Sequence, residues 1–184
     1  MYKISESLSR ERKHAHSQAV GQISYIIAHS YGYLNMEATL IQQAAQLHDI
    51  GKSYISKEIL NKPGKLTDEE FALVKRHAVY GASHLLKQAQ LLLTAAVIAL
   101  QHHEQVSGGG YEGLTNIHAY AKLVAVADVF DALISPRAYK HGWPPYEVED
   151  YMKDNKDSRF EPELVDALLK CFDEVLQIYD YTSY

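Results

Sequence analysis

Apolar residues along the chain recur at three- and four-residue intervals, and no stretch sustains the two-residue alternation of a half-buried strand. From Ser9 to Ser30, Val20, Ile23, Ile26 and Ile27 share one helical face, and Gly32 offers a stop. Asn35 is a good N-cap for a helix running through Ala38, Ile41, Ala44, Ala45 and Leu47 into His48-Asp49 and ending at Gly51. After a turn at Lys62-Pro63-Gly64-Lys65, Thr67 and Glu70 make a capping box for a helix carrying Phe71, Val74, His77 and Leu85. A further helix, Leu91 to Glu104, delivers His102-His103 at its C-terminal end, and Ser107-Gly108-Gly109-Gly110 breaks the pattern. Ile117 to Ile134 returns to helix, with Leu123, Val126, Ala127 and Phe130 as core positions. Pro145 and Pro162 suit the first turns of two last helices, the second burying Leu164, Val165, Leu168 and Phe172. The fold class is therefore all-α.

Composition narrows the class without changing the fold. The 184 residues, 47% hydrophobic and 22% charged, suit one globular domain spanning 1–184. A net charge of -5 gives no general pull on DNA or an anionic membrane, so an anionic ligand must meet local positive charge. Leu91 to Leu100, the longest apolar stretch, falls short of the roughly 20 residues that span a bilayer, and Met1 to Ala15 has no apolar signal region. A cytoplasmic protein is the expectation. Cys171, beside Leu168, Leu169 and Phe172, reads as a small core residue, and Tyr179, Tyr181 and Tyr184 as a homodimer or protein-docking surface.

The chemistry lies in residues of one type. His16, His48-Asp49, His77, His102-His103 and Asp128 offer imidazole nitrogens and carboxylate oxygens, the donors that first-row transition metals bind, in a number exceeding one metal's needs. Neither adjacent pair suits a single apolar stripe, because consecutive helical side chains diverge by roughly 100°. Neighbouring ligands can instead straddle two metals. Asp49, whose two oxygens can each take a different ion, is the bridging candidate.

Ala45-Gln-Leu-His-Asp-Ile-Gly-Lys52 resembles the signature of the HD superfamily of metal-dependent phosphohydrolases. Ile59 to Thr67, Lys75-Arg-His77 followed by Gly81, His102-His103-Glu104, Gly110-Tyr111 and Ala127-Asp128-Val-Phe-Asp131-Ala-Leu133 narrow the likeness to the HD-GYP group of cyclic di-GMP phosphodiesterases. The resemblance implies an HD-type helical domain with a binuclear site. One metal would be held by His16, His48, Asp49 and Asp128, and the other by Asp49, His77, His102 and His103. A hydroxide between them would attack the phosphodiester. Iron is the metal the likeness favours, with manganese next. Lys52, Arg137 and Lys140 match residues that hold the scissile phosphate, the last two otherwise forming a solvated basic loop. Asp49 and Lys52 would be the catalytic pair.

Two departures from the group's pattern stand out. A Glu that serves a third metal in some members is Arg12 here, which favours two metals over three. Gly-Tyr-Pro reads Gly110-Tyr111-Glu112, which frees the loop from proline's constraint and adds negative charge near the substrate. Tyr111 either stacks on a guanine or anchors this loop; Asp131 either orients a ligand His, caps the Arg137 loop or is a surface carboxylate. His14, His29, His84, His118 and His141 match no ligand and fall to the surface or the surroundings of the site, with His84 sharing a helical face with His77. The altered loop leaves open a mixed cyclic dinucleotide, a mononucleotide, or a silent module that binds a diguanylate cyclase or another signalling protein.

Overall fold

A computed structural model describes residues 2–86, 92–136 and 141–179, with side chains from residue 14 onward. Arg137, Lys140, Tyr181 and Tyr184 lie outside the described residues, as does the side chain of Arg12. Ten α-helices are described: α1 (Tyr2–Tyr31), α2 (Asn35–Ala45), α3 (Lys57–Leu60), α4 (Asp68–Lys75), α5 (His77–Leu86), α6 (Leu93–Gln101), α7 (Ala119–Ile134), α8 (Pro145–Asp154), α9 (Pro162–Lys170) and α10 (Phe172–Leu176). No strand occurs among the described residues, which leaves the all-α expectation standing. None of these helices is long and apolar enough to cross a membrane.

Helix α7 is apolar over most of its surface, and it is buried accordingly. Leu123, Val124, Val126, Ala127, Phe130 and Ile134 are fully enclosed. Around α7 pack α1, α6, α8 and α9, while α2 lies along α1 and α5 along α6. Val20, Ile23 and Ile27 on α1 meet Ile41 on α2, Ile98 on α6 and Leu168 on α9 in one continuous core.

The local signals explain most boundaries. Gly32, at φ 111°, donates to Ala28 and His29 carbonyls while Tyr33 donates to Ala28, so α1 ends as a glycine in the left-handed region permits. Thr67 and Glu70 exchange hydrogen bonds of 3.2 and 2.8 Å to cap α4, as their spacing predicts. Three boundaries differ from expectation. Helix α2 is capped at Leu34, not Asn35, because the Glu37 carboxylate takes the Leu34 N–H. It stops at Ala45, where tighter i to i+3 bonds take over and carry the chain through His48 and Asp49 into a 3-10 turn, Ile50–Tyr54. The segment from Thr67 to Leu86 is two helices that break at Arg76, and Phe71 on the first is exposed. Cys171 is half-buried against the core, its thiol donating to the Ala167 carbonyl at 3.1 Å.

Candidate metal centre

The seven ligand-type residues arrive from five places in the fold and converge. His16 comes from the middle of α1, His48 and Asp49 from the turn after α2, and His77 from the first residue of α5. His102 and His103 follow the end of α6, and Asp128 comes from the buried helix α7. Gly51 makes the convergence possible. A Cβ there would sit 1.9 Å from the His77 carbonyl oxygen and 2.5 Å from the Gly81 nitrogen, so only glycine lets the 3-10 turn lie directly on α5.

Each buried imidazole is turned by the same device. The Nδ1 atoms of His48 and His77 lie 2.8 and 2.7 Å from the carbonyls of Ala45 and Val74, and that of His102 lies 3.0 Å from Ala99. A carbonyl only accepts, so Nδ1 carries the proton in the neutral ring and Nε2 keeps its lone pair. Those lone pairs find no protein donor. The Nε2 atoms of His48, His77 and His102 and Oδ1 of Asp49 are buried without a hydrogen-bond partner; Ser24 Oγ is the one other such atom among the described residues. Buried polar atoms are rarely left so, and four in one cluster of ligand-type residues fit metal cations.

Asp49 lies between the two sides of the cluster. Its Oδ2 is 3.5 Å from His48 Nε2 and 3.8 Å from His16 Nε2, while Oδ1 is 3.3 Å from His77 Nε2. Asp128 Oδ1 lies 3.4 Å from His16 Nε2 and 3.6 Å from His48 Nε2. Ligand atoms of His77, His102 and His103 fall within 4.8 Å of one another, as do those of His16, His48 and Asp49. His102 also reaches the other side, grouping with His48 and Asp128. Spacing alone did not reveal that His102 sits at the seam between the two sets.

Burial opposes charge on both carboxylates, yet neighbouring groups hold them well below the usual range: His48 and Lys52 act on Asp49, His16 and His48 on Asp128. Burial also opposes protonation of His16, but its bonds to Asp128 and Asp131 win and push it up to about 10. His103 moves the other way, down to about 4, chiefly through burial. Burial, with His103 and His48 nearby, likewise holds His102 well below its ordinary value.

Lys52 ion-pairs with Asp49 Oδ2. Asp131 is no surface carboxylate: at 3% exposure it takes His16 Nδ1 at 2.5 Å, the Tyr179 hydroxyl at 2.6 Å and Ser135 Oγ at 3.1 Å. Tyr179, expected on an outward-facing patch, thus points inward. Tyr111 packs over His103 with ring centroids 4.2 Å apart, and Lys75 lies 5.3 Å from its ring. His84 meets the Tyr54 hydroxyl at 2.6 Å, and His118 caps α7 through Nδ1.

The loop after His103 is fastened, contrary to the freedom that losing proline implied. Buried Glu104 accepts the backbone N–H of Glu112 at 2.9 Å and of Leu114 at 2.7 Å. The first bond exists because Glu112, unlike proline, has an N–H to give. Gly110 lies so close that a Cβ would stand 2.5 Å from Glu104 Cα. The glycines are therefore not all a loose turn; Gly110 is a packing contact. Its position after the ligand pair was the only sequence signal for Glu104.

A cavity of about 320 Å³ opens onto the cluster, lined by His16, Lys52, His77, His103, Tyr111 and Asp128, and also by Tyr151 and Arg159. No sequence pattern singled out the last two, which arrive from α8 and from the turn before α9.

The HD domain family profile matches residues 4–164. The chain is 39% identical over 177 residues to the 3'3'-cGAMP-specific phosphodiesterase 2 of Vibrio cholerae, covering 94% of this chain and 34% of that protein. It is 41% identical over 170 residues to a cyclic di-GMP phosphodiesterase of Thermotoga maritima, covering 90% and 46%. Among solved structures it is similar to an HDG"Y"P protein from Bdellovibrio bacteriovorus, with a TM-score of 0.69 at 25% identity, covering 86% of this chain and 51% of that one. The chain spans less than half the length of these two curated relatives.

Proposed function

The chain belongs to the HD-domain family, within its HD-GYP group, and on that premise we propose that it is a metal-dependent phosphodiesterase that hydrolyses cyclic di-GMP. The carrying observation is Asp49, with one oxygen toward His16 and His48 and the other toward His77, amid imidazole lone pairs that no protein donor satisfies. His16, His48 and Asp128 would complete one site with Asp49 Oδ2; His77, His102 and His103 would complete the other with Oδ1. Two cations so held supply Lewis acidity toward phosphoryl oxygens and acidify water, the chemistry phosphodiester hydrolysis needs. A mixed imidazole and carboxylate donor set suits iron and manganese alike, and the family likeness puts iron first and manganese next.

The chain's own residues have separable tasks. Carbonyls of Ala45, Val74 and Ala99 fix the tautomers of His48, His77 and His102 and so present Nε2 of each to the cluster. Lys52 steadies Asp49 and places a positive charge on the cavity wall where a phosphate would enter. Arg137 and Lys140, at the family's spacing after Asp128, are proposed to hold the phosphate as well. Tyr111 packs over His103 and narrows the opening beside it.

A second reading, hydrolysis of a mixed cyclic dinucleotide, is favoured by the Vibrio relative named for 3'3'-cGAMP. Steady-state rates for cyclic di-GMP, 3'3'-cGAMP, cyclic di-AMP and GMP separate the two. The proposal requires the highest kcat/KM for cyclic di-GMP; a preference for 3'3'-cGAMP supports the second reading, and a preference for GMP overturns both.

A further inference from the structure

The turn between α8 and α9 is built more firmly than a connection requires. Asp157 adopts φ 59°, a left-handed conformation costly for a non-glycine residue and, among the described non-glycine residues, found only there. Three backbone bonds hold it: Asp157 N–H to the Phe160 carbonyl, and the N–H groups of Arg159 and Phe160 to the Asn155 carbonyl, each 3.0 Å. Three more tie it to the loop after the ligand pair, one of them from the Val106 N–H to the Arg159 carbonyl at 3.4 Å. Ser107 donates to the Ser158 carbonyl through its N–H at 3.0 Å and through Oγ at 2.5 Å. The result fixes one side chain, Arg159, in the wall of the cavity that opens onto the cluster.

The guanidinium is oriented but not neutralised. Its Nη1 donates to the Tyr151 hydroxyl at 3.1 Å, and its Cζ lies 5.5 Å from the Phe160 ring centroid. No carboxylate pairs with it among the described residues, whereas Lys52 on the same cavity wall is paired with Asp49. A guanidinium has five donors, so a half-buried one with a single hydroxyl partner has fork geometry left for a ligand with two adjacent acceptors.

Two ligand parts could use that fork, a phosphate or the edge of a guanine. The surroundings favour the base. The phosphate's place is at the ligand cluster and Lys52, while Arg159 shares its part of the wall with the tyrosines Tyr111 and Tyr151, and aromatic faces are what nucleobases stack on. Guanine presents O6 and N7 side by side as acceptors, which match an arginine fork; adenine puts an amino donor where O6 would be.

We infer that Arg159 is a specificity-determining residue that reads the O6 and N7 edge of a guanine in the bound cyclic dinucleotide. The inference rests on the reading of the chain as a cyclic dinucleotide phosphodiesterase. It makes the turn at 155–160 the part of the site that selects the base, while the metal-ligand set cuts the phosphodiester.

The metal-loaded protein and its Arg159→Ala and Arg159→Gln variants are assayed with cyclic di-GMP, cyclic di-AMP and bis(p-nitrophenyl) phosphate, a diester with no base. Arg159→Ala lowers kcat/KM for cyclic di-GMP about tenfold to a hundredfold, mostly through KM, and leaves the base-free diester unchanged. Arg159→Gln, whose amide complements adenine, raises the ratio of cyclic di-AMP to cyclic di-GMP turnover. Unchanged hydrolysis of the base-free diester also shows that the variants fold and keep their metals. Equal losses on cyclic di-GMP and the base-free diester would make Arg159 a phosphate ligand and overturn the inference, as would no loss on either. If the unmodified protein cleaves the base-free diester but no guanine dinucleotide, the functional reading itself fails, and the inference with it.

Discussion

His16 Nδ1 lies 2.5 Å from Asp131 Oδ2, and the other oxygen of Asp131 takes the Tyr179 hydroxyl at 2.6 Å. A chain of two hydrogen bonds thus runs from the last described turn of the protein to an imidazole of the cluster. A carboxylate behind a ligand imidazole fixes its ring and raises its basicity. Asp131→Ala is predicted to weaken metal binding about tenfold to a hundredfold, read by competition with a chelator of known affinity. Tyr179→Phe keeps the ring against Phe130 but removes the hydroxyl, with a predicted cost of about 1.5 kcal/mol in stability. Wild-type metal affinity in Asp131→Ala would show that the contact has no part in holding His16.

Metal entry is predicted to release a proton. In the metal-free protein His16 stands at about 10 and is cationic at neutral pH, while a metal ligand must be neutral. Apparent affinity should therefore rise with pH up to about 10, and calorimetry at pH 7 in buffers of different ionisation enthalpy should detect the displaced proton. Heats independent of the buffer would contradict this.

Stability of the metal-free protein follows opposite signs at two histidines. His103 is at about 4 when folded against an ordinary 6.5, so the unfolded chain binds the extra proton in that window and stability falls as pH drops through it. His16 contributes stability fully below 6.5 and loses it as pH rises toward about 10. Asp49 and Asp128, lowered by their cationic neighbours, reinforce the acid side, since their contribution disappears as they are protonated. Denaturant midpoints across this range should show an interior maximum; a flat profile would argue against the charged cluster.

Restoring the group's proline should harm this chain. Glu112→Pro deletes the N–H that Glu104 accepts at 2.9 Å and leaves a buried carboxylate oxygen short of a donor, for a predicted loss of about 1.5–3 kcal/mol. In a chain of this size that lowers Tm by roughly 3–12 °C. Glu112→Ala keeps the N–H and should melt as the wild type does. Equal melting of all three proteins would remove the Glu104 clasp from the account.

Gly51→Ala pushes a methyl group into the His77 carbonyl, 1.9 Å away, and the turn bearing Asp49 must separate from α5. The predicted cost is about 1–3 kcal/mol, together with lost metal, because the move draws Asp49 away from His77. A variant with unchanged Tm and metal content would mean that the close approach is dispensable.

Much of this was legible in the chain because its signals are local. The helical period, the Thr67 and Glu70 box and the two helix-starting prolines act within a few residues, and all place elements where they are found. Convergence of the seven ligand-type residues was legible from adjacency and order. What escaped was what depends on contacts distant in sequence. That Asp131 orients a ligand His was one of its open readings, but which imidazole it meets, 115 positions away at His16, and its bond to Tyr179, 48 positions on, are linked by no periodicity. Loss of proline implied a freer loop because the pattern shows the lost constraint but not the acceptor waiting at Glu104. Arg159 lies in a turn whose neighbours along the chain give no sign that it faces a cavity lined by α1 and α7 residues.

The central claim is that Asp49 is the ligand common to two metals. It is tested most directly by metal analysis of wild-type and Asp49→Ala protein purified without air, each then assayed with cyclic di-GMP. The account predicts about two metals per wild-type chain and hydrolysis of the dinucleotide, with metal and turnover both lost in Asp49→Ala. Two metals and undiminished hydrolysis in Asp49→Ala would contradict it.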